Sequence, residues 1–429
     1  MNSIYRQVKY AGTAAIALTV LVAVVILAGI AIPAQAQTET LTYQFTGSPD
    51  GANPSAGPVL KGTTLYGTTW EGGGPSGDGN TGYGTVYKVS TTTGKETILH
   101  TFTANTQPPY DGLAPRGGLA FDKEGNLYGT TPSGGGYDGE GYGTIYEIAK
   151  SGKEYVETVL YAFSGGTDGA NPEYVTPVFD KLGNLYGTTL GGSYGNGNVF
   201  KFGSAGLTTL YNFTGFADGG TPVCGVTLDT KGNIYGVAAG GGAYGYGVLF
   251  EITAAGEYSV LYNFTGGTDG GYPYSPPVFK SGKLYGTTVG GGAGCTWGCG
   301  VIYEYTLAKG KKPGKETVLH TFGGVPDGAS PMYGALVFDK LGNIYGTTEG
   351  GGDNNGATNL GTAYELSPPA IAGGSWTETI LYNFDDQPDG TSPMGSVVLD
   401  TKGNVYTTAA FGGNTTFEYG AGTVIKITP

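Results

Sequence analysis

Gly117-Gly118-Leu119-Ala120-Phe121-Asp122-Lys123-Glu124-Gly125-Asn126-Leu127-Tyr128-Gly129-Thr130-Thr131 reads as two short strands hinged on a tight turn. Residues 117–121 carry strand-like alternation, Lys-Glu-Gly-Asn supplies the turn chemistry, and Leu-Tyr-Gly-Thr-Thr opens a second β-rich run. A glycine-rich loop (132–142) follows, and then residues 143–148 and 158–163 give two more strand-like pieces. We label the four strands a, b, c and d. The strand-b tyrosine recurs at Tyr66, Tyr128, Tyr186, Tyr235, Tyr285, Tyr345 and Tyr406. An Asp-Gly-x-x-Pro motif recurs at Asp50, Asp111, Asp168, Asp218, Asp269, Asp327 and Asp389. The two series interleave without a gap, so one four-stranded unit is repeated seven times.

Seven units of four short antiparallel strands predict an all-β, seven-bladed β-propeller of four-stranded blades. No stretch after residue 37 sustains the helical period that βαβ crossovers need. The ends predict closure. Residues 41–45 are a d strand with no unit before them, and residues 422–427 are a c strand with no d strand after them. Pairing the N-terminal strand with the last blade removes two exposed sheet edges. Composition agrees: 84 Gly, 33 Tyr and 13% charged residues suit many turns between short strands rather than helices.

Residues 1–36 read as an export signal, leaving 37–429 as a single propeller. Arg6 and Lys9 precede an uncharged apolar run from Ala11 to Ile32, and Ala34-Gln35-Ala36 fits a cleavage site. An uncleaved anchor is the alternative, because the run is long enough to span a bilayer. Both readings place the remainder outside the cytoplasm, secreted or periplasmic. The formal net charge of −13 would repel phosphate backbones, which excludes nucleic acid as an expected partner. Cys295 and Cys299 flank three residues of a glycine-rich loop, where a local disulfide or a metal pair would fit. Cys224 reads as a small buried hydrophobe.

The repeated positions are expected to be structural. His100 and His320 fall where Tyr161, Tyr211, Tyr262 and Tyr382 stand in other d strands, so they read as packing. That leaves no histidine for a triad, a zinc site or a general base. The d-strand phenylalanines (Phe45, Phe102, Phe163, Phe213, Phe264, Phe322 and Phe384) are expected core. The seven motif aspartates ring one face, either as turn caps or as a cation site. Calcium is the ion such a ring could hold, though none is required.

Residues outside the repeat are the better candidates for a ligand. The b–c loops of units six, seven, one and two carry Glu349, Asp353, Glu418, Glu71, Asp78, Asp138 and Glu140, whereas loops 190–196, 239–246 and 289–299 carry no acid. Aromatics line the same loops: Trp70, Tyr83, Tyr137, Tyr142, Tyr194, Tyr244, Tyr246, Trp297, Phe411 and Tyr419. Rings and carboxylates on a concave face suit sugars, amines or calcium-bridged glycans; solvated loop residues are the alternative. Arg116, which begins strand a of unit two, is a weak hint of anion recognition.

The runs Leu-Tyr-Gly-Thr-Thr (65–69, 127–131, 185–189, 284–288), Gly-Thr-Val-Tyr (84–87) and the Asp-Gly-x-x-Pro motifs resemble the choice-of-anchor GloVer tandem-repeat proteins over 40–429. The Asp-Lys-Leu-Gly-Asn turns at 180–184 and 339–343 are also similar to those of NHL-type propellers. The resemblance implies an exported bacterial protein with a C-terminal anchor, from which this chain departs by ending Lys426-Ile427-Thr428-Pro429, and it carries over no catalytic residues. The function expected is a monomeric, non-enzymatic module binding glycan or peptide on the face of the b–c and d–a loops. The alternatives are a polysaccharide-active enzyme using Glu71, Glu140, Glu349 or Glu418, in which paired carboxylates serve as acid and base, and a structural or adhesive scaffold.

Overall fold

In each Tyr-Gly-Thr-Thr run the glycine is dictated by what lies on it. A Cβ at Gly67 would sit 2.4 Å from the Tyr87 hydroxyl, and one at Gly129 would sit 2.3 Å from that of Tyr146. The strand-c ring therefore lies flat on the backbone of strand b, a contact that only glycine permits. The first threonine of the run is buried, and in four of the five runs it reaches into the next unit. Thr68 Oγ1 donates to Gly117 O at 2.8 Å, Thr188 to Cys224 O at 2.6 Å, and Thr347 to Gly395 O at 2.8 Å. The second threonine caps its own loop, as when Thr69 Oγ1 donates to Glu71 O at 3.0 Å. One tripeptide thus shapes the strand and ties neighbouring units together.

The computed structural model describes residues 38–428 apart from 75–81, 106–107, 109, 137–138, 297, 355–356, 372 and 414–419. The expected export segment, Asp78, Tyr137, Asp138, Trp297, Glu418 and Tyr419 lie outside the described residues. Seven four-stranded antiparallel sheets form the blades of the propeller. Blade two runs Ala120–Phe121, Leu127–Thr131, Thr144–Ser151 and Glu154–Ala162. Blade seven is composite. Val398–Leu399, Val405–Ala409 and Thr423–Thr428 are completed by Thr38–Gln44, which pairs antiparallel from Thr38↔Thr428 to Gln44↔Thr423. Thr408 Oγ1 closes the same seam by donating to Ala56 O at 3.0 Å.

Two boundaries differ from the sequence expectation. Strand a shrinks to two residues in most blades, because the segment before it packs backbone to backbone near the axis. A Cβ at Gly117 would lie 2.1 Å from Val175 O, and one at Gly57 1.9 Å from Ser396 O. Strand d of blade two begins at Glu154 rather than 158. Every c–d pairing also carries a bulge, at Ile145/Tyr146 in blade two and at Ile302/Tyr303 in blade five. The extra residue re-aims the side chains beyond it.

The core lies between blades. All seven d-strand phenylalanines are at most 4% exposed. Six of them meet strand-c rings edge to face, as in Phe45–Tyr87 at 4.9 Å and Phe264–Tyr303 at 5.2 Å. No helix among the described residues is long and apolar enough to cross a membrane.

Candidate functional site

The d–a and b–c loops pair with each other, which makes one end of the ring a continuous loop face. Gly51–Ala52 pairs with Glu71–Gly72, Gly112–Leu113 with Ser133–Gly134, and Gly328–Ala329 with Gly350–Gly351. Single bridges do the same elsewhere, at Ala170↔Gly191, Gly220↔Gly240, Gly271↔Gly290 and Thr391↔Phe411. The residue before each motif proline is left-handed: Asn53, Ala114, Asn171, Thr221, Tyr272, Ser330 and Ser392 all have φ between 55 and 60°. Such a backbone costs a non-glycine residue about 1–2 kcal/mol. The loops hold that conformation by cross-blade hydrogen bonds, such as Asn171 N to Tyr142 O at 2.8 Å.

The motif aspartates are engaged locally. Asp50 accepts from Thr46 N and Tyr43 Oη through Oδ2, and from Gly51 N through Oδ1. Asp168, Asp218 and Asp269 accept from Tyr161, Tyr211 and Tyr262 at 3.0 Å and from the backbone N–H four residues earlier. Asp389 takes a 2.5 Å bond from Tyr382. His100 fills the tyrosine place in blade one, with Nε2 3.1 Å from Asp111 Oδ2. In blade five His320 Nε2 stands 3.5 Å from Asp327. The d-strand tyrosine or histidine is thus a polar partner of the motif aspartate as well as a packing residue.

The next blade adds a carboxyl that the sequence reading passed over. Glu39, Glu96, Glu157, Glu316 and Glu378 occur four residues before the tyrosine or histidine of their own d strands. Each points back at the aspartate of the preceding blade. Burial and the neighbouring Asp50 push the Glu96 carboxyl up to about 7. Burial and Asp269 do the same for Glu316. Burial followed by Asp327 raises Glu378 to about 9. Burial opposes ionisation of Asp327 itself, but His320, Glu378 and the N–H groups of Gly328 and Gly323 outweigh it and hold it at about 2. The sequence signal was there, in the Glu-Thr-x-Leu-Tyr/His run of four of these d strands and the Glu-Thr-Leu-Thr-Tyr of residues 39–43.

At the axial mouth, six residues that follow motif prolines or strand b converge. Arg116 pairs with Glu173, its guanidinium 4.5 Å above the Trp70 ring and 6.0 Å from that of Tyr174. Tyr174 stacks on Tyr333 at 3.6 Å with planes 6° apart, and Tyr274 lies 5.9 Å beyond. Arg116 thus has a carboxylate partner, and its side chain keeps partial exposure. Glu349 occupies the strand-b position of Trp70, its N–H donating to Ser330 O as that of Trp70 does to Asn53 O. Burial raises its carboxyl.

The remaining expected residues spread around the face. Glu71 is half-buried at the start of its loop and Tyr83 packs beneath the first blades, while Glu140 and Tyr142 are exposed. Cys295 and Cys299 are bonded with Cα atoms 5.5 Å apart, and Cys224 is buried. Every exposed large aromatic among the described residues belongs to this face: Tyr142, Tyr194, Phe216, Tyr244, Tyr246 and Tyr272. All lie between blades two and five. A depression of about 580 Å³ between blades two and three opens at the opposite end instead. Its walls are a–b turns (Asp122, Lys123, Glu124, Asp180, Leu182), and a smaller copy between blades three and four marks it as a product of the repeat.

Seven blades, a paired loop face and a ring sealed by its own first strand define a repeat β-propeller. The chain matches the Gloeobacter/Verrucomicrobia repeat over residues 30–231, 74–297 and 225–429, and it belongs to that family. None of the curated proteins matches it. Among solved structures it is similar to a GH74 enzyme of Niastella koreensis, at 18% identity and TM-score 0.55, over 85% of this chain and 52% of the other. It is also similar to a fungal alcohol oxidase of the AA5 family in complex with copper, at 15% identity and TM-score 0.53, over 91% of this chain and 75% of that one. The chain thus spans about half the length of the Niastella enzyme. At these identities the likeness is one of fold.

Proposed function

We propose that the protein is an extracytoplasmic, monomeric, non-enzymatic propeller that binds glycans across the loop face of blades two to five. The observation that carries this reading is that, among the described residues, the exposed aromatic rings are confined to that arc, with Phe216 78%, Tyr194 65% and Tyr244 60% exposed. Exposed rings on paired, hydrogen-bonded loops offer flat apolar faces to sugar rings at little entropic cost. Tyr246 and Tyr272 already contact each other at 5.4 Å, so part of the platform is preformed. Thermal unfolding against a panel of soluble polysaccharides tests it, because any ligand selective for the native state raises the melting temperature. The expected result is a shift with at least one sugar class that Tyr194→Ala and Tyr244→Ala abolish and Trp70→Ala leaves in place. A flat panel, or a shift indifferent to the two tyrosines, rejects the assignment. The rival enzymatic reading rests on Glu349, whose raised carboxyl suits a general acid; it requires polysaccharide turnover that Glu349→Gln removes.

A further inference from the structure

Two of the seven blade interfaces bring together an imidazole and two carboxylates from adjacent blades. His100, Asp111 and Glu157 meet between blades one and two, and His320, Asp327 and Glu378 meet between blades five and six. In each set the donor atoms all lie within 4.8 Å of one another. His320 Nε2 is 3.5 Å from Asp327 Oδ2 and 3.5 Å from Glu378 Oε2, beyond hydrogen-bond length, and it has no hydrogen-bond partner although buried. Asp111, with a side chain only 7% exposed, leaves Oδ1 unpartnered, and Glu157 leaves Oε1 unpartnered. The buried hydroxyls of Tyr146 and Tyr364 beside these sets are unpartnered as well.

These separations have a simple geometric meaning. A tetrahedral ion with N and O ligands at about 2.0–2.2 Å places its ligand atoms roughly 3.3–3.6 Å apart. The 3.5 Å separations around His320 fall in that range, and the 3.1 Å from His100 Nε2 to Asp111 Oδ2 is slightly inside it. At interfaces of the same design that carry tyrosine, the phenol instead donates an ordinary bond to aspartate, 2.9 Å for Tyr43 and 3.0 Å for Tyr262. We propose that the two histidine interfaces are divalent metal sites of the zinc type, each clamping two blades with one imidazole and two carboxylates. An imidazole beside carboxylates selects such ions over calcium or magnesium, which prefer all-oxygen sets. A water molecule would supply the fourth ligand.

The repeat provides a conservative control, because tyrosine is what other blades place at this position. Chelator-stripped protein reloaded with Zn(II) and passed through gel filtration should retain two equivalents by elemental analysis. His100→Tyr and His320→Tyr should each retain one, and the double variant none. Cobalt(II) should give the visible absorption of a tetrahedral site in the wild type and lose it in the double variant. Zn(II) should raise the melting temperature of the wild type and leave that of the double variant unchanged. Fewer than two equivalents in the wild type, or zinc retained by a folded double variant, overturns the proposal.

Discussion

Four strand-c tyrosines, Tyr87, Tyr146, Tyr303 and Tyr364, are fully enclosed with hydroxyls that meet no protein partner. The same place is Phe200 in blade three and Phe250 in blade four, where the neighbouring d strands carry Leu207 and Tyr258 instead of glutamate. In blades one to six, phenol and this glutamate therefore occur together as one polar unit in an otherwise aromatic interface, whereas blade seven sets Glu39 against Ile425. A buried hydroxyl without a partner costs about 1–3 kcal/mol, and removing it in a shape-preserving way recovers part of that. Tyr303→Phe should raise stability by about 1 kcal/mol, read from the denaturant midpoint at unchanged slope. A loss of stability would show that the hydroxyl is satisfied in solution. The Thr-Thr pair was legible as β structure in the sequence, whereas its reach into the next blade was not. Thr188 finds Cys224 O only because the ring brings residue 224 beside residue 188.

Between elements, the carboxyl pairs make the blade seams sensitive to pH. Glu96 and Glu316 have folded-state values of about 7, above the ordinary 4.5. A group raised in this way contributes stability that is complete below about 4.5 and is lost as pH climbs through about 7. The melting temperature should therefore fall between pH 5 and pH 8, and the double change Glu96→Gln and Glu316→Gln should flatten that slope. A wild-type profile already flat over this window would refute the coupling. Strand identity was readable here from local chemistry, since Asp180, Leu182 and Asn184 form the expected turn, with Asn184 N donating to Asp180 Oδ1 at 2.9 Å. The seam was not, because Glu157 and Asp111 belong to different units. A repeat aligned on itself shows which positions are equivalent, not which ones touch.

At the scale of the whole ring, the composite seventh blade replaces two open edges with one sheet. Deleting residues 38–44 should leave Thr423–Thr428 unpaired along one side, lower the melting temperature by many degrees and promote self-association, measured by calorimetry and light scattering. A monomer of unchanged melting temperature would mean that closure contributes nothing. Fold and closure could be read because they depend on counting strands, and Leu41 and Ile425 carry their patterns locally. The mouth could not, since Tyr174 and Tyr333 come from units three and six and meet only across the axis. The arrangement also sets an order in time. The strand made first is paired last, because its partner leaves the ribosome only when nearly the whole chain has been synthesised. At about 5–20 residues per second that delay is roughly 20–80 s. Throughout it the seventh blade lacks its outer strand, and the ring is closed only by that late pairing.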